Sequence, residues 1–325
     1  MIGKRGKLLV VLYVVFLAVL FLMCSTDLII REPEKEIYQV AVIIEEARDD
    51  NYGNFRKGMD QAAMEFNADV RFITLYEKLN AEEQMELIDR EQQDGADALI
   101  VAPADGEQVM NALTKNQVTI PLVLLGAGEA GESVTKNIMV DYKQMGELLA
   151  QKMIEDMPEN CPVLALADSQ MHSIRSRLFL EGAFEAFGNS KSSFQIVETA
   201  GEQEIRIFME GLENWTGGQV AILAESPEIL AEAAELLADS PTLSKRIWGL
   251  YGRGSTIPIL NYLDRGLVKG ICVTDEFSIG YLSVSMAVEA AEKGAEKKVV
   301  AMDSVYIDKE SLRDPVYEKL LFPIE

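Results

Sequence analysis

Along residues 38–66 an apolar run, a polar break and a helical stripe follow one another. Residues 39–44, QVAVII, are nearly all apolar, rich in β-branched side chains and free of Gly and Pro. That pattern predicts a strand buried on both faces, as in a parallel sheet. Beyond the polar stretch 45–51, Phe55, Met59, Ala62, Ala63 and Phe66 recur at helical spacing and form one apolar stripe. The polar stretch therefore sits at the carboxyl end of a buried strand, where open α/β sheets take their ligands. Its charge makes it either a cleft wall or a solvated βα loop.

The alternation continues. Strands are predicted over 70–75, 98–101, 120–125 and 137–140, with helices over 81–93 and 106–115 between them. Asp141 marks a turning point. A helix with Met145, Leu148, Leu149 and Met153 on one face starts there, and a second βα series follows. Its strands fall at 162–167, 194–197, 219–224, 247–250 and 269–273. Helical stripes appear at Phe179, Ala183, Ala186 and Phe187, and again at Leu230, Ala233, Ala234 and Leu237. A last long helix carries Phe277, Tyr281, Val284 and Val288. Strands spaced by helices mean βαβ units, a parallel sheet and right-handed crossovers. The expected class is α/β, in two similar halves of near-equal size.

Ahead of these halves, Lys4, Arg5 and Lys7 precede an apolar run over 8–23. At 1.5 Å per residue that run is roughly 24 Å long, slightly under a hydrocarbon core of ~30 Å. The basic flank belongs on the cytoplasmic side, which places everything after about residue 30 outside. Three readings compete: a retained signal anchor, a cleaved signal peptide, and a lipoprotein signal acylated at Cys24. Residues 1–30 are assigned to this segment and 31–37 to a charged tether.

Composition narrows the function. The 325 residues are 48% hydrophobic with a net charge of −23, enough for two domains and a surface that repels nucleic acid and anionic lipid. Cys24, Cys161 and Cys272 lie far apart and form no disulfide framework or metal motif, and His172 is the single histidine. Residues 126–131, GAGEAG, match a dinucleotide fingerprint, but the chain returns to a strand near Asn137. That leaves no room for the helix whose amides would hold pyrophosphate. No P-loop, nucleophile elbow or zincin motif is present, so no enzyme, cofactor, catalytic residue or metal site is expected. Arg175 and Arg177 stand out early in a helix, where basic residues oppose the dipole. A guanidinium there either pairs with a carboxylate or grips ligand oxygens.

Taken together, these residues resemble the type I periplasmic binding proteins, in particular the ribose- and galactose-type solute receptors. The resemblance is carried by Asn51, Tyr52 and Gly58 after the first strand, by residues 97–103 (DALIVAP), and by Ile120 and Pro121. It continues through Asp141, Arg177 ahead of Gly182, and the tail 314–323. It implies two doubly wound, Rossmann-like lobes joined by a three-stranded hinge, with a ligand cleft between them. The lobes would be 38–140 plus 275–302 and 141–274 plus 303–325. By the resemblance, Tyr52 offers an aromatic face to a sugar ring and Arg177 grips its oxygens. Departures are equally plain: Gly126 and Ala127 stand where such receptors carry Asp-Arg, and Glu225 and Ser226 where they carry Asn-Asp. Tyr251 replaces an aspartate, and Thr274, beside Asp275, a glutamine. The candidate ligand contacts are thus Glu45, Asp49, Asn51, Tyr52, Gly126, Asp141, Arg177, Glu225, Tyr251, Thr274 and Asp275, with Glu46 in the same acidic wall. The implied function is a membrane-tethered extracytoplasmic protein capturing a small polar solute, most simply a carbohydrate, for an ABC permease. The alternative is a receptor that signals to a membrane histidine kinase.

Overall fold

The structure is a computed structural model that describes residues 4–25, 37–104, 106–114, 118–126, 134, 136–169, 173–294 and 296–323. His172, residues 127–133 and the Cys24 side chain fall outside the described residues. The chain divides into two units, residues 1–37 and 38–325. The first holds helix α1 (Lys4–Ser25). Its stretch Arg5–Met23 is long and apolar enough to cross a membrane, and fits a signal sequence or an anchor.

The second unit is an α/β body with two six-stranded sheets. The first contains β1 (Tyr38–Ile43), β2 (Ala68–Ile73), β3 (Ala98–Val101), β4 (Leu122–Gly126), β5 (Lys136–Val140) and β11 (Lys298–Met302), ordered β11-β5-β4-β3-β1-β2 and parallel throughout. The second contains β6 (Val163–Asp168), β7 (Phe194–Thr199), β8 (Val220–Ala224), β9 (Ile247–Arg253), β10 (Val268–Val273) and β12 (Val305–Asp308), ordered β12-β10-β9-β8-β6-β7. Its edge strand β12 runs antiparallel to β10. The helices of the first lobe are α2 (Gly53–Phe66), α3 (Ala81–Gln93), α4 (Gly106–Thr114) and α11 (Glu276–Lys293). Those of the second are α5 (Tyr142–Asp156), α6 (Ile174–Phe187), α7 (Glu202–Glu213), α8 (Pro227–Asp239), α9 (Leu243–Arg246), α10 (Ile257–Asp264) and α12 (Pro315–Leu321).

Side-chain alternation along the strands builds the layers. Val40, Val42 and Ile44 pack toward Phe55 of α2 and Val284 of α11, while Ala41 and Ile43 pack toward Ile88 of α3 and Leu113 of α4. In the second lobe Val163 and Ala165 pack with Leu149 of α5 and Phe179 of α6. Leu166 and Ile222 lie on the other side with Met209 of α7 and Leu230 of α8. Both lobes use the same device where their inner helices cross. A Cβ on Gly58 of α2 would lie 1.9 Å from the Phe277 carbonyl oxygen, and one on Gly280 of α11 2.0 Å from that of Phe55. Gly146 of α5 and Gly182 of α6 meet the Phe179 and Lys143 carbonyls at 1.9 Å in the same way. Hydrogen at these positions lets two backbones touch.

The chain passes between the sheets at Asp141, at Thr274 and Asp275, and at Asp303 and Ser304. Sequence periodicity anticipated neither edge strand β11 nor β12, nor helices α7, α10 and α12. The edge strands are short and largely not buried, with apolar runs of only three or four residues, and α10 has a proline, Pro258, in its first turn. The strand expected from residue 120 starts at Leu122, because Pro121 has no N–H to give the ladder; its carbonyl still accepts from Leu99 at 2.9 Å.

Candidate functional site

The strand ends of both sheets converge on a cleft of about 870 Å³. That volume suits a small molecule. At its base an ion pair crosses from one lobe to the other. Glu45, directly after β1 and buried, places Oε1 2.5 Å from Nη1 of Arg175 in the first turn of α6. The Tyr52 hydroxyl donates to Glu45 Oε2 at 2.9 Å, and Arg175 Nη2 donates to the Leu125 carbonyl at 3.4 Å. Burial, and after it the Glu45 charge, pushes the Tyr52 phenol well up. Arg175 thus opposes the α6 dipole but is compensated by a carboxylate from the facing lobe.

A second guanidinium completes the floor. Arg253, at the end of β9, donates Nε to the Glu225 carbonyl at 2.5 Å and lies over the rings of Tyr142 and Phe179, 5.5 and 6.0 Å from their centroids. Arg175 covers the Tyr142 ring as well, at 5.8 Å. Glu225, just beyond β8, is 3% exposed at its side chain. Its Oε1 accepts from the Asp168 amide at 3.3 Å. Glu276, at the start of α11, accepts from the Thr274 hydroxyl at 2.9 Å. Burial pushes its carboxyl up, against that hydrogen bond and the two guanidiniums.

At the mouth, Lys78 bridges Glu46 of the first lobe (3.2 Å) and Glu228 of α8 (3.8 Å), and the Asn51 side-chain amide donates to Glu228. Burial, with the neighbouring Glu45 charge second, raises the Glu46 carboxyl from its ordinary 4.5 to about 7. Between these values the folded chain holds a proton that the unfolded chain has released. Folding stability is therefore expected to fall as pH rises from 4.5 to 7. Glu46→Gln should flatten that fall, as read from urea midpoints across the window.

Of the residues expected at the site, Glu45, Asn51, Tyr52, Gly126, Glu225 and Thr274 line the cleft. Five do not. Arg177 is exposed, because two residues along a helix turn it away from Arg175, which faces the cleft instead. Asp141 and Asp275 spend their carboxylates as N-caps, accepting from the amides of Gln144 and Ser278 at 2.9 Å each. Tyr251 is fully buried within β9, donating its hydroxyl to Asp156, because the strand runs on to Arg253. Asp49 points outward and pairs with Arg56. Arg253, Tyr142, Glu228 and Glu276 take part without having been expected there, and Arg175 makes the carboxylate pair that was one of its two expected roles.

Two wound lobes, three passages of the chain and a cleft lined from both sides define a solute-binding protein. The chain belongs to the type I periplasmic binding proteins: residues 40–296 match the family described as periplasmic binding protein domain. No curated protein sequence matches it. Among solved structures, a solute-binding protein of an ABC transporter from Agrobacterium vitis with bound α-D-tagatopyranose is similar, at TM-score 0.76 and 15% identity over 88% of this chain and 100% of that one. One from Bacillus halodurans with bound myo-inositol gives 0.73 and 18%, over 89% and 99%. A chain of the XylFII-LytSN complex gives 0.72 and 17%, over 85% and 99%. Identities this low carry the fold alone.

Proposed function

We propose that this protein is a membrane-tethered extracytoplasmic receptor that encloses a small hydroxylated solute, a carbohydrate or cyclic polyol, by hinge closure and delivers it to an ABC-type importer. The observation that carries the reading is the buried Glu45–Arg175 pair, which joins the lobes across the cleft floor. A closing contact of this kind, flanked by the tyrosines Tyr52 and Tyr142 and several hydrogen-bonding groups, is the chemistry that receives a ring with one apolar face and polar edges. The tagatose and inositol bound by similarly folded proteins support the same solute class. Helix α1 supports tethering.

The test is a thermal-shift screen of the full chain in detergent against sugars and cyclic polyols. A ligand that binds only the folded form at about a hundred times its Kd adds roughly 2.7 kcal/mol, a shift of several degrees. No shift with any sugar or polyol would remove the solute class. A second reading, a sensor that reports to a membrane kinase, is favoured by α1 and by the likeness to a chain of the XylFII-LytSN complex. Co-purification with a permease or with a kinase separates the two.

A further inference from the structure

The balance of donors and acceptors in the cleft points to the charge of its ligand. Each cationic side chain that lines it already has a protein acceptor. Arg175 holds Glu45, Lys78 holds Glu46, Arg253 holds the Glu225 carbonyl, Lys57 the Pro323 carbonyl at 3.2 Å, and Arg48 lies 3.6 Å from Asp50. The acceptor side is left over. Among the described residues, Glu225 Oε2 takes part in no hydrogen bond and lies 4.0 Å from Arg253 Nη2, although the side chain is 97% removed from solvent and lines the cleft. A buried carboxylate oxygen left unmet is costly, so a donor reaching it contributes more than an ordinary hydrogen bond. Two buried carboxyls, Glu45 and Glu225, and the half-buried Glu276 face two guanidiniums there. A ligand carboxylate or phosphate entering this floor would meet carboxyls and no unengaged cation. The net charge of −23 adds a long-range field that draws cations in.

We propose that the cleft selects a small hydroxylated solute carrying a protonated amine, such as an amino sugar, with Glu225 as the acceptor for its ammonium group. This rests on the reading of the cleft as a receptor for small hydroxylated solutes, and narrows it. Hydroxyls then meet Thr274 and Asn51, while the ammonium group meets the carboxylate.

The experiment is calorimetric titration of the full chain with rings that differ in one substituent and its charge: D-glucose, D-glucosamine and D-glucuronate, and the corresponding galacto set, at a pH below the amine's pKa. The amine is expected to bind at least about tenfold tighter than its neutral parent, the usual gain for a charge-assisted hydrogen bond, and the uronate not at all. Glu225→Gln, which keeps shape and removes charge, should bring the amine-to-neutral ratio close to one. A neutral ring binding as tightly as its amine, or a uronate binding best, overturns the charge inference and leaves the carbohydrate receptor standing. Binding of no ring in either set overturns both. If the Gln variant fails to fold, the ratio on the unaltered chain still decides.

Discussion

Gly58→Ala is expected to destabilise the folded chain by about 3 kcal/mol, lowering its melting temperature by about 5 °C. The added methyl would stand 1.9 Å from the Phe277 carbonyl oxygen and 2.9 Å from the Tyr281 amide nitrogen. Both are backbone atoms in the first two turns of α11, so neither can swing aside, and the two helices must separate. Separation opens the layer where Phe55, Met59 and Val284 pack, and the loss of dispersion contacts follows the steric cost. Gly146→Ala should behave alike in the second lobe, against the Phe179 carbonyl. Gly211 of α7 is the control, since a Cβ there meets nothing within 4 Å. Gly211→Ala should stabilise, by up to about 1 kcal/mol, through helix propensity alone. A Gly58→Ala protein melting within a degree or two of the unaltered chain would show that the helices cross elsewhere.

The two-lobed architecture was legible because buried parallel strands are apolar on both faces and the helices between them repeat with a clean stripe. Half-exposed edge strands gave no such signal: Lys298 and Val299 of β11 are exposed, and nothing in KKVVAM demands a sheet. Helix α7 carries a stripe of its own, Ile205, Met209 and Leu212, at helical spacing. The site was legible in part, and its errors share a cause. The side chain that reaches a cleft is the one at the true end of its strand or helix. Extending β9 by three residues moves that end from Leu250 past Tyr251 to Arg253. In α6 the buried stripe Phe179, Ala183 and Phe187 continues backward by four to residue 175, not 177. An aspartate just before a helical stripe, as at Asp141 and Asp275, is a cap signal that outweighs a ligand role. Which carboxylate pairs with which cation across the lobes depends on distances between strand ends of different sheets, and no local pattern encodes them.

The sharpest consequence is the contrast between the two arginines of α6. Arg175→Ala is expected to weaken ligand binding by about a hundredfold or more, and Arg177→Ala by less than about threefold. Removing one member of a buried pair leaves the other without compensation, at a cost of about 3–5 kcal/mol. Here Glu45 is 5% exposed at its side chain and would keep only the Tyr52 hydroxyl among its present partners. Under the proposed hinge motion the lobes part, and an opened cleft returns Glu45 to water. The cost therefore falls on the closed form rather than on folding: the melting temperature without ligand should drop by only a few degrees while affinity collapses. The radius of gyration from solution scattering should rise in the variant and stay high when ligand is added. Arg175→Lys tests the geometry, because a single ammonium on a shorter stem cannot hold Glu45 and the Leu125 carbonyl as the planar guanidinium does. It should recover the ligand-free scattering curve in part and the affinity hardly at all. If the Arg175→Ala protein closes and binds as the unaltered chain does, or if Arg177→Ala carries the larger loss, the inter-lobe pair is not what holds the cleft shut.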